Sequence, residues 1–242
     1  MKFFDCNLHL DQFKSPLSVI KEYLYFNIKN IVSLCDNINS FTFLNQLLSL
    51  EKNIFLGIGL HPNKKYSEFE IRSILDLIKE KVDIIGECGL DFLRKINSIK
   101  VQFRYLIQQL KIAEKYGKIV ILHVVNAEEE ILEILSSFNL NFVVFHWYSG
   151  NIQYIEKILE NGYYFSFNKC IINFKKYQKY ISKIPINRLL LESDAPYKYK
   201  GTITKPEDFP KIIETIANIK LIDVDQVSKI LYSNSKSIFI NK

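Results

Sequence analysis

Four histidines constrain this chain more than any other feature, because each closes a short apolar run. FFDCNLH ends at His9, NIFLGIGLH at His61, KIVILH at His123 and NFVVFH at His146. Two further runs finish in carboxylates: DIIGECGLD carries Glu87 and Asp91, and RLLLESD carries Glu192 and Asp194. Strand-like segments from nearly the whole chain thus end in side chains that bind metals or move protons. Histidines kept for packing or solubility have no reason to choose that position every time. The pattern calls for a fold that brings many strand ends to one place.

Strand-like runs lie near residues 2–9, 30–35, 53–60, 83–88, 118–124, 141–146, 162–167 and 188–192. Between them, apolar residues recur at helical spacing, as in Phe69, Ile71, Ile74, Leu75 and Ile78, or Phe103, Leu106, Ile107, Leu110 and Ala113 with Gly117 at a C-cap. Two more helices are expected after the last strand, near 206–219 and 224–237. Strands apolar on both faces and separated by helices indicate a parallel sheet covered on each side. Eight such units in about 250 residues fit a (β/α)8 TIM barrel, whose active groups sit at the C-terminal ends of the strands. A single barrel domain over residues 1–242 is therefore expected. An open doubly wound sheet is the alternative. Against it, Gly57-Ile-Gly59 continues as Leu-His-Pro instead of completing a dinucleotide fingerprint, and there is no P-loop.

No apolar stretch approaches the ~20 residues of a membrane helix. The opening Lys-Phe-Phe-Asp lacks the form of a signal peptide. Cys6, Cys35, Cys88 and Cys170 show no CxxC pairing and lie in or beside apolar runs, as free thiols of a cytoplasmic protein would. The net charge of +6 admits an anionic partner without demanding one.

Asn7 and His9, two apart in a strand, point to the same side. His9 offers an imidazole nitrogen to a divalent cation, and Asn7 offers at most an amide oxygen or a hydrogen bond. Glu87 can bridge two cations, His123 and His146 can supply nitrogens to one of them, and Asp194 completes the set as ligand and general base. The mixture suits Zn²⁺, Mn²⁺ or Mg²⁺. Two such ions hold and activate a phosphodiester. Glu192, one layer deeper, is expected to orient ligands, Asp5 to give structural support, and Asp91 either to cap the next helix or to join the site.

At this point the chain resembles the TatD family of metal-dependent deoxyribonucleases, amidohydrolase-like barrels. The likeness runs nearly end to end: DCNLHLD, GIGLHP, GECGLD, QFRYLIQQLKIAEKYGKIVILH, FHWYSG, GYYFSF, RLLLESDAPY and NSKSIF. It implies that His9, Glu87, His123, His146 and Asp194 bind two cations and that His61 touches the substrate phosphate. It also implies hydrolysis of DNA, often 3′→5′ on single strands. Three departures stand out. Asn7 replaces the first histidine of the family's DxHxH, Val125 and Asn126 stand where an Arg-Asp pair is usual, and the loop YKYKGTITKPEDF is short and lysine-rich. HWYSG resembles compact members found in anti-phage defence systems, which implies partner proteins.

The loops after the strands carry Lys64, Lys65, Arg94, Lys95, Lys169, Lys198, Lys200 and Lys205, with Phe92, Trp147, Tyr148, Tyr197 and Tyr199 among them. Cations attract phosphates, and aromatic rings stack unpaired bases. The substrate is expected to meet His61, Lys64, Asp91, Trp147, Tyr148 and Tyr197. NFKKYQKYISK reads as an outer helix with a wet face. Two readings compete with a nuclease: a TatD-like scaffold that has lost catalysis, suggested by Asn7, and a metal hydrolase of a small phosphorylated or amide substrate.

Overall fold

Strands apolar on both faces can be buried only between a lumen and a layer of helices, and the chain adopts that arrangement. The computed structural model describes residues 1–94 and 96–241; Lys95, one of the expected rim cations, lies outside them. Eight strands form one parallel sheet in chain order. They are β1 (Phe3–Leu8), β2 (Ile28–Cys35), β3 (Ile54–Ile58), β4 (Ile84–Asp91), β5 (Ile119–Val125), β6 (Val143–Phe145), β7 (Tyr164–Phe167) and β8 (Leu189–Leu191). Just beyond β8, Asp194 N–H donates to Asn7 O at 2.8 Å and His9 N–H donates to Ala195 O at 2.9 Å, so the sheet closes on itself. The buried Asp5 carboxylate accepts from Ser193 N–H at 2.9 Å at the same seam. Its burial pushes it up to about 7.

The helices are α1 (Pro16–Tyr25), α2 (Ile38–Leu47), α3 (Glu68–Glu80), α4 (Ile99–Tyr116), α5 (Glu128–Leu135), α6 (Tyr154–Glu160), α7 (Cys170–Asn173), α8 (Lys175–Lys183), α9 (Phe209–Lys220) and α10 (Val224–Phe239). Their ends follow local chemistry. Ser67 and Glu70 close a capping box on α3, and Gly117 takes the left-handed conformation (φ 62°) after α4. On α8, Tyr177, Tyr180 and Ile181 turn inward while the lysines stay wet. A short hairpin, β9 (Lys198–Tyr199) with β10 (Thr202–Ile203), occupies the lysine-rich loop after β8. No helix among the described residues is long and apolar enough to cross a membrane.

Inside the barrel, Phe4, Cys6, Val32, Leu34, Ile84, Ile119, Ile121, Val144 and Leu190 form a cluster of their own, joined by Ile238 and Phe239 of α10. This cluster fills the lumen beneath the strand ends. Gly57 faces the crowded part of it, where a Cβ would lie 2.6 Å from Leu34 Cδ2. Gly59, just past β3, is crowded too, since a Cβ there would lie 2.8 Å from Glu87 O, so space and not nucleotide binding explains the pair. All four cysteines are buried and free.

Strict alternation breaks at two strands. The pairing register shifts between Asp5 and Leu8 in β1 and between Ile85 and Cys88 in β4. Phe4, Cys6 and Ile84 face the lumen, and one step out of phase Asn7, His9 and Glu87 converge above it. Bulges of this kind re-aim side chains next to functional sites. The fourth run was expected near 83–88; β4 instead continues through Asp91.

Candidate metal centre

Glu87 lies at the middle of the site, 6% exposed, and its two carboxylate oxygens face different groups. Oε1 is 3.1 Å from His9 Nε2 and accepts from Asn7 Nδ2 at 2.8 Å. Oε2 is 3.3 Å from His61 Nε2, 3.4 Å from His146 Nε2 and 3.6 Å from His123 Nδ1. Asp194 Oδ1 completes the first group, 3.3 Å from His9 Nε2. Two sets, His9–Glu87–Asp194 and His61–Glu87–His123, each keep their donor atoms within 4.8 Å of one another. His146 Nε2 joins the second set, 3.3 Å from His123 Nδ1. Ligands of a tetrahedral cation at ~2.0–2.1 Å stand about 3.3 Å apart, so these donor sets fit divalent cations.

Neighbouring groups decide which nitrogen of each imidazole faces inward. His9 Nδ1–H reaches Leu34 O at 3.2 Å, leaving Nε2 for the site. His123 Nε2–H reaches Asp91 Oδ2 at 3.1 Å, leaving Nδ1. His61 is the reverse case: its Nδ1 accepts Asn63 N–H at 3.0 Å, so its Nε2 carries the hydrogen and points it at Glu87. A nitrogen bearing a hydrogen donates to an anion and does not ligate a cation. Although His61 has the spacing of a ligand, its hydrogen bonding therefore sets it apart from His9 and His123.

The charges explain how a buried carboxylate survives here. Burial works against the charge of Glu87, yet His146 above all, then His123 and His61, hold it well below the usual carboxylate range. Burial likewise opposes charge on His146, but Glu87 dominates and raises it to about 10. His9 and His123 are raised too, against their burial, by Asp194 and Glu87 in one case and by Asp91 and Glu87 in the other. His61 is lowered, by burial and by the neighbouring His123. Glu192, fully buried below, accepts from Ser166 Oγ at 2.6 Å and stands 3.8 Å from His146 Nδ1. Its burial raises it to about 8.

These atoms form the floor of a cavity of about 390 Å³ walled by Trp147, Tyr177, Tyr197 and Tyr199 on one part and by Lys64, Arg94 and Lys198 on others. Trp147 holds a left-handed φ of 37° and packs edge-on to Tyr199, which leans on Phe174 and Tyr177. Tyr197 is 48% exposed and meets the His9 ring edge-on at 4.9 Å. Lys64 lines the cavity but is paired with Asp36.

Two expected substrate contacts do not hold. Tyr148 is buried against Phe145, Phe165 and Tyr180 with its hydroxyl on Asn151 O, because the chain turns inward after Trp147. Asp91 is fully buried, and its oxygens are taken by His123, Asn63 and the N–H groups of Leu93 and Arg94. It orients His123 and caps the turn, and it does not reach the cavity. The rim is also less free than its composition suggests. Lys169 pairs with Asp208, Lys205 with Glu207, and Lys200 lies over the Phe174 ring at 4.9 Å.

Residue-by-residue reading passed over Gln102 and Gln109, seven apart on the buried face of α4. Gln109 Oε1 accepts Leu60 N–H at 2.8 Å and Gln102 Oε1 accepts Asp91 N–H at 2.8 Å, fixing the chain beside His61 and His123. Two glutamines at a two-turn interval on an apolar helix face were the available signal.

A family model described as TatD related DNase matches residues 4–240. An uncharacterized metal-dependent hydrolase of Buchnera aphidicola is 30% identical over 263 aligned residues, 99% of each chain. A putative deoxyribonuclease of Vairimorpha ceranae, a TATDN1 homolog, is 28% identical across 97% of this chain and 93% of its own. The crystal structure of YjjV, a TatD homolog from Escherichia coli, superposes with a TM-score of 0.87 at 24% identity, covering 98% of this chain and 97% of that one.

Proposed function

The chain belongs to the TatD-related DNase family and is a metal-dependent hydrolase, and from that premise we propose that it removes nucleotides from the 3′ end of single-stranded DNA. The observation that supports this reading most is Glu87, whose two oxygens each face a separate set of cation ligands at the floor of an aromatic-walled cavity. His9 and Asp194 would hold one divalent cation with Glu87, and His123 and His146 would hold the other. Such cations supply Lewis acidity toward the phosphate and acidify water near neutral pH. The remaining work falls to the protein. Asp194 accepts the proton of the attacking water, and His61 Nε2–H donates to a phosphoryl oxygen. Trp147 and Tyr197 receive the terminal base, while Lys198 and Arg94 draw in the backbone.

The test is cleavage of 5′-labelled single-stranded DNA with Mg²⁺, Mn²⁺ or Zn²⁺. A ladder shortening from the 3′ end is expected. No cleavage with any of the three ions, with wild type and Glu87→Ala indistinguishable, would overturn the reading. The proposal extends to a cytoplasmic setting, supported by the buried free thiols. A part in anti-phage defence, with partner proteins, is supported by the HWYSG likeness, and DNA repair is the alternative setting for the same reaction.

Two results follow from the site. Stacking a base on one aromatic side chain contributes ~1–3 kcal/mol, so Trp147→Ala should raise KM for single-stranded DNA by about 5- to 150-fold with little change in kcat. Tyr148→Phe should leave KM alone and lower thermal stability instead. Second, His146 is raised to about 10 and His9 and His123 are also raised, so near neutral pH a cation must displace protons. Cation affinity should therefore rise from about pH 6 to pH 8, by about tenfold per pH unit for each proton displaced. Calorimetric titrations in buffers of different ionisation enthalpy read this proton release directly.

A further inference from the structure

Asn7 is fully buried, and an amide has only two N–H bonds to give. Nδ2 lies 2.8 Å from Glu87 Oε1, 3.2 Å from Asp194 Oδ1 and 3.2 Å from His146 Nδ1, and with the His146 hydrogen on Nδ1 both N–H bonds go to the carboxylates. Those are the same two oxygens that His9 Nε2 faces at 3.1 and 3.3 Å. The other end of the amide, Oδ1, is buried without a hydrogen-bond partner among the described residues. Asn7 thus spends its donors on the carboxylates a cation would use, and leaves its only possible ligand atom idle.

The two sides of Glu87 differ in how they can be cleared. At Oε2, His123 Nδ1 and His146 Nε2 become ligands by presenting a lone pair. An amide nitrogen has no lone pair to present and no proton it gives up. For a cation to lie between His9, Glu87 and Asp194, the Asn7 amide must turn half a revolution about its terminal bond. Oδ1 then faces the cation and Nδ2 leaves the carboxylates. Turned without a cation, the same amide would set three oxygens against one another.

We propose that Asn7 is a positioning residue that makes the two halves of the centre unequal: the His123–His146 half takes its cation first, and the His9–Asp194 half takes one only by turning the Asn7 amide. This rests on the two-cation reading above and adds to it an order of loading. The second cation is correspondingly the weaker and the more easily lost on dilution.

Mn²⁺ titration of the full chain tests this, with free Mn²⁺ followed by electron paramagnetic resonance and heats by calorimetry. Two equivalents are expected, with dissociation constants separated by about tenfold or more. Asn7→Asp, which replaces the donor with an anionic ligand, should tighten the second constant by about tenfold or more and leave the first within about threefold. Asn7→Leu, which neither donates nor ligates, should keep the first equivalent and lose the second. A wild-type second constant too weak to read, restored by Asn7→Asp, also supports the proposal. Two wild-type equivalents of indistinguishable affinity overturn it, and so does an Asn7→Asp second constant equal to wild type. The wild-type titration decides even if a variant fails to fold. A wild type that binds no cation at all removes the two-cation reading itself.

Discussion

Glu87→Gln should lower phosphodiester hydrolysis by about 10³-fold or more, equivalent to about 4 kcal/mol of barrier. The substitution keeps the shape of the side chain but replaces one carboxylate oxygen with an N–H donor. Whichever way the amide sits, one of the two facing groups meets hydrogens in place of a lone pair: His9 with Asp194, or His123 with His146. One cation set would lose its shared ligand and the other would keep a neutral one. The imidazoles would lose the charge that raises them, and neutral buried imidazoles are tolerated, so the fold should persist. Metal content after dialysis, measured together with rate, checks the cause. A variant that keeps both its cations and its rate would remove Glu87 from the centre.

Gly89→Ala should be the most damaging single methyl group in the barrel. Gly89 sits in β4 opposite His123 of β5 with φ +143°, a region L-residues rarely adopt. An added Cβ would lie 2.0 Å from His123 O and 2.9 Å from its carbonyl carbon. Neither is the end of a flexible side chain, so the strands themselves must part. Backbone strain and overpacking together suggest about 3 kcal/mol or more. At roughly 2–4 °C per kcal/mol for a chain of this size, Tm should fall by about 6–12 °C. Because the displaced group is the backbone of His123, cation affinity should fall as well. Circular dichroism melts with and without Mn²⁺ would show both effects, and a Tm within about 2 °C of wild type would refute the packing account.

Much of the architecture was legible because burial leaves a plain signature. Apolar runs bounded by polar turns located all eight strands, and the helical spacing in 206–219 and 224–237 located the last two helices. Side chains that close those runs were legible as a site for the same reason, since a carboxylate or imidazole after an apolar run must find a partner. Asp91 and Tyr148 were less legible. Both stand at or just past strand ends, and only the packing around them decides whether such a side chain turns toward the cavity or the core. Lys64, Lys169 and Lys205 show the same limit for charge: composition counts cations, while only the fold shows which already have an anion.

By itself, then, the sequence determined the parallel barrel, the apolar strands and the chemical types at the strand ends, because these follow from hydrophobic periodicity and run length. The tertiary structure decided the phase. A strand that alternates strictly cannot point Phe4, Cys6, Asn7 and His9 all inward. The register shifts in β1 and β4 reset the alternation above the lumen cluster and bring Asn7, His9 and Glu87 together. It also decided that the Asn7 nitrogen, and not its oxygen, meets the carboxylates, since that depends on groups 80 and 187 residues away along the chain.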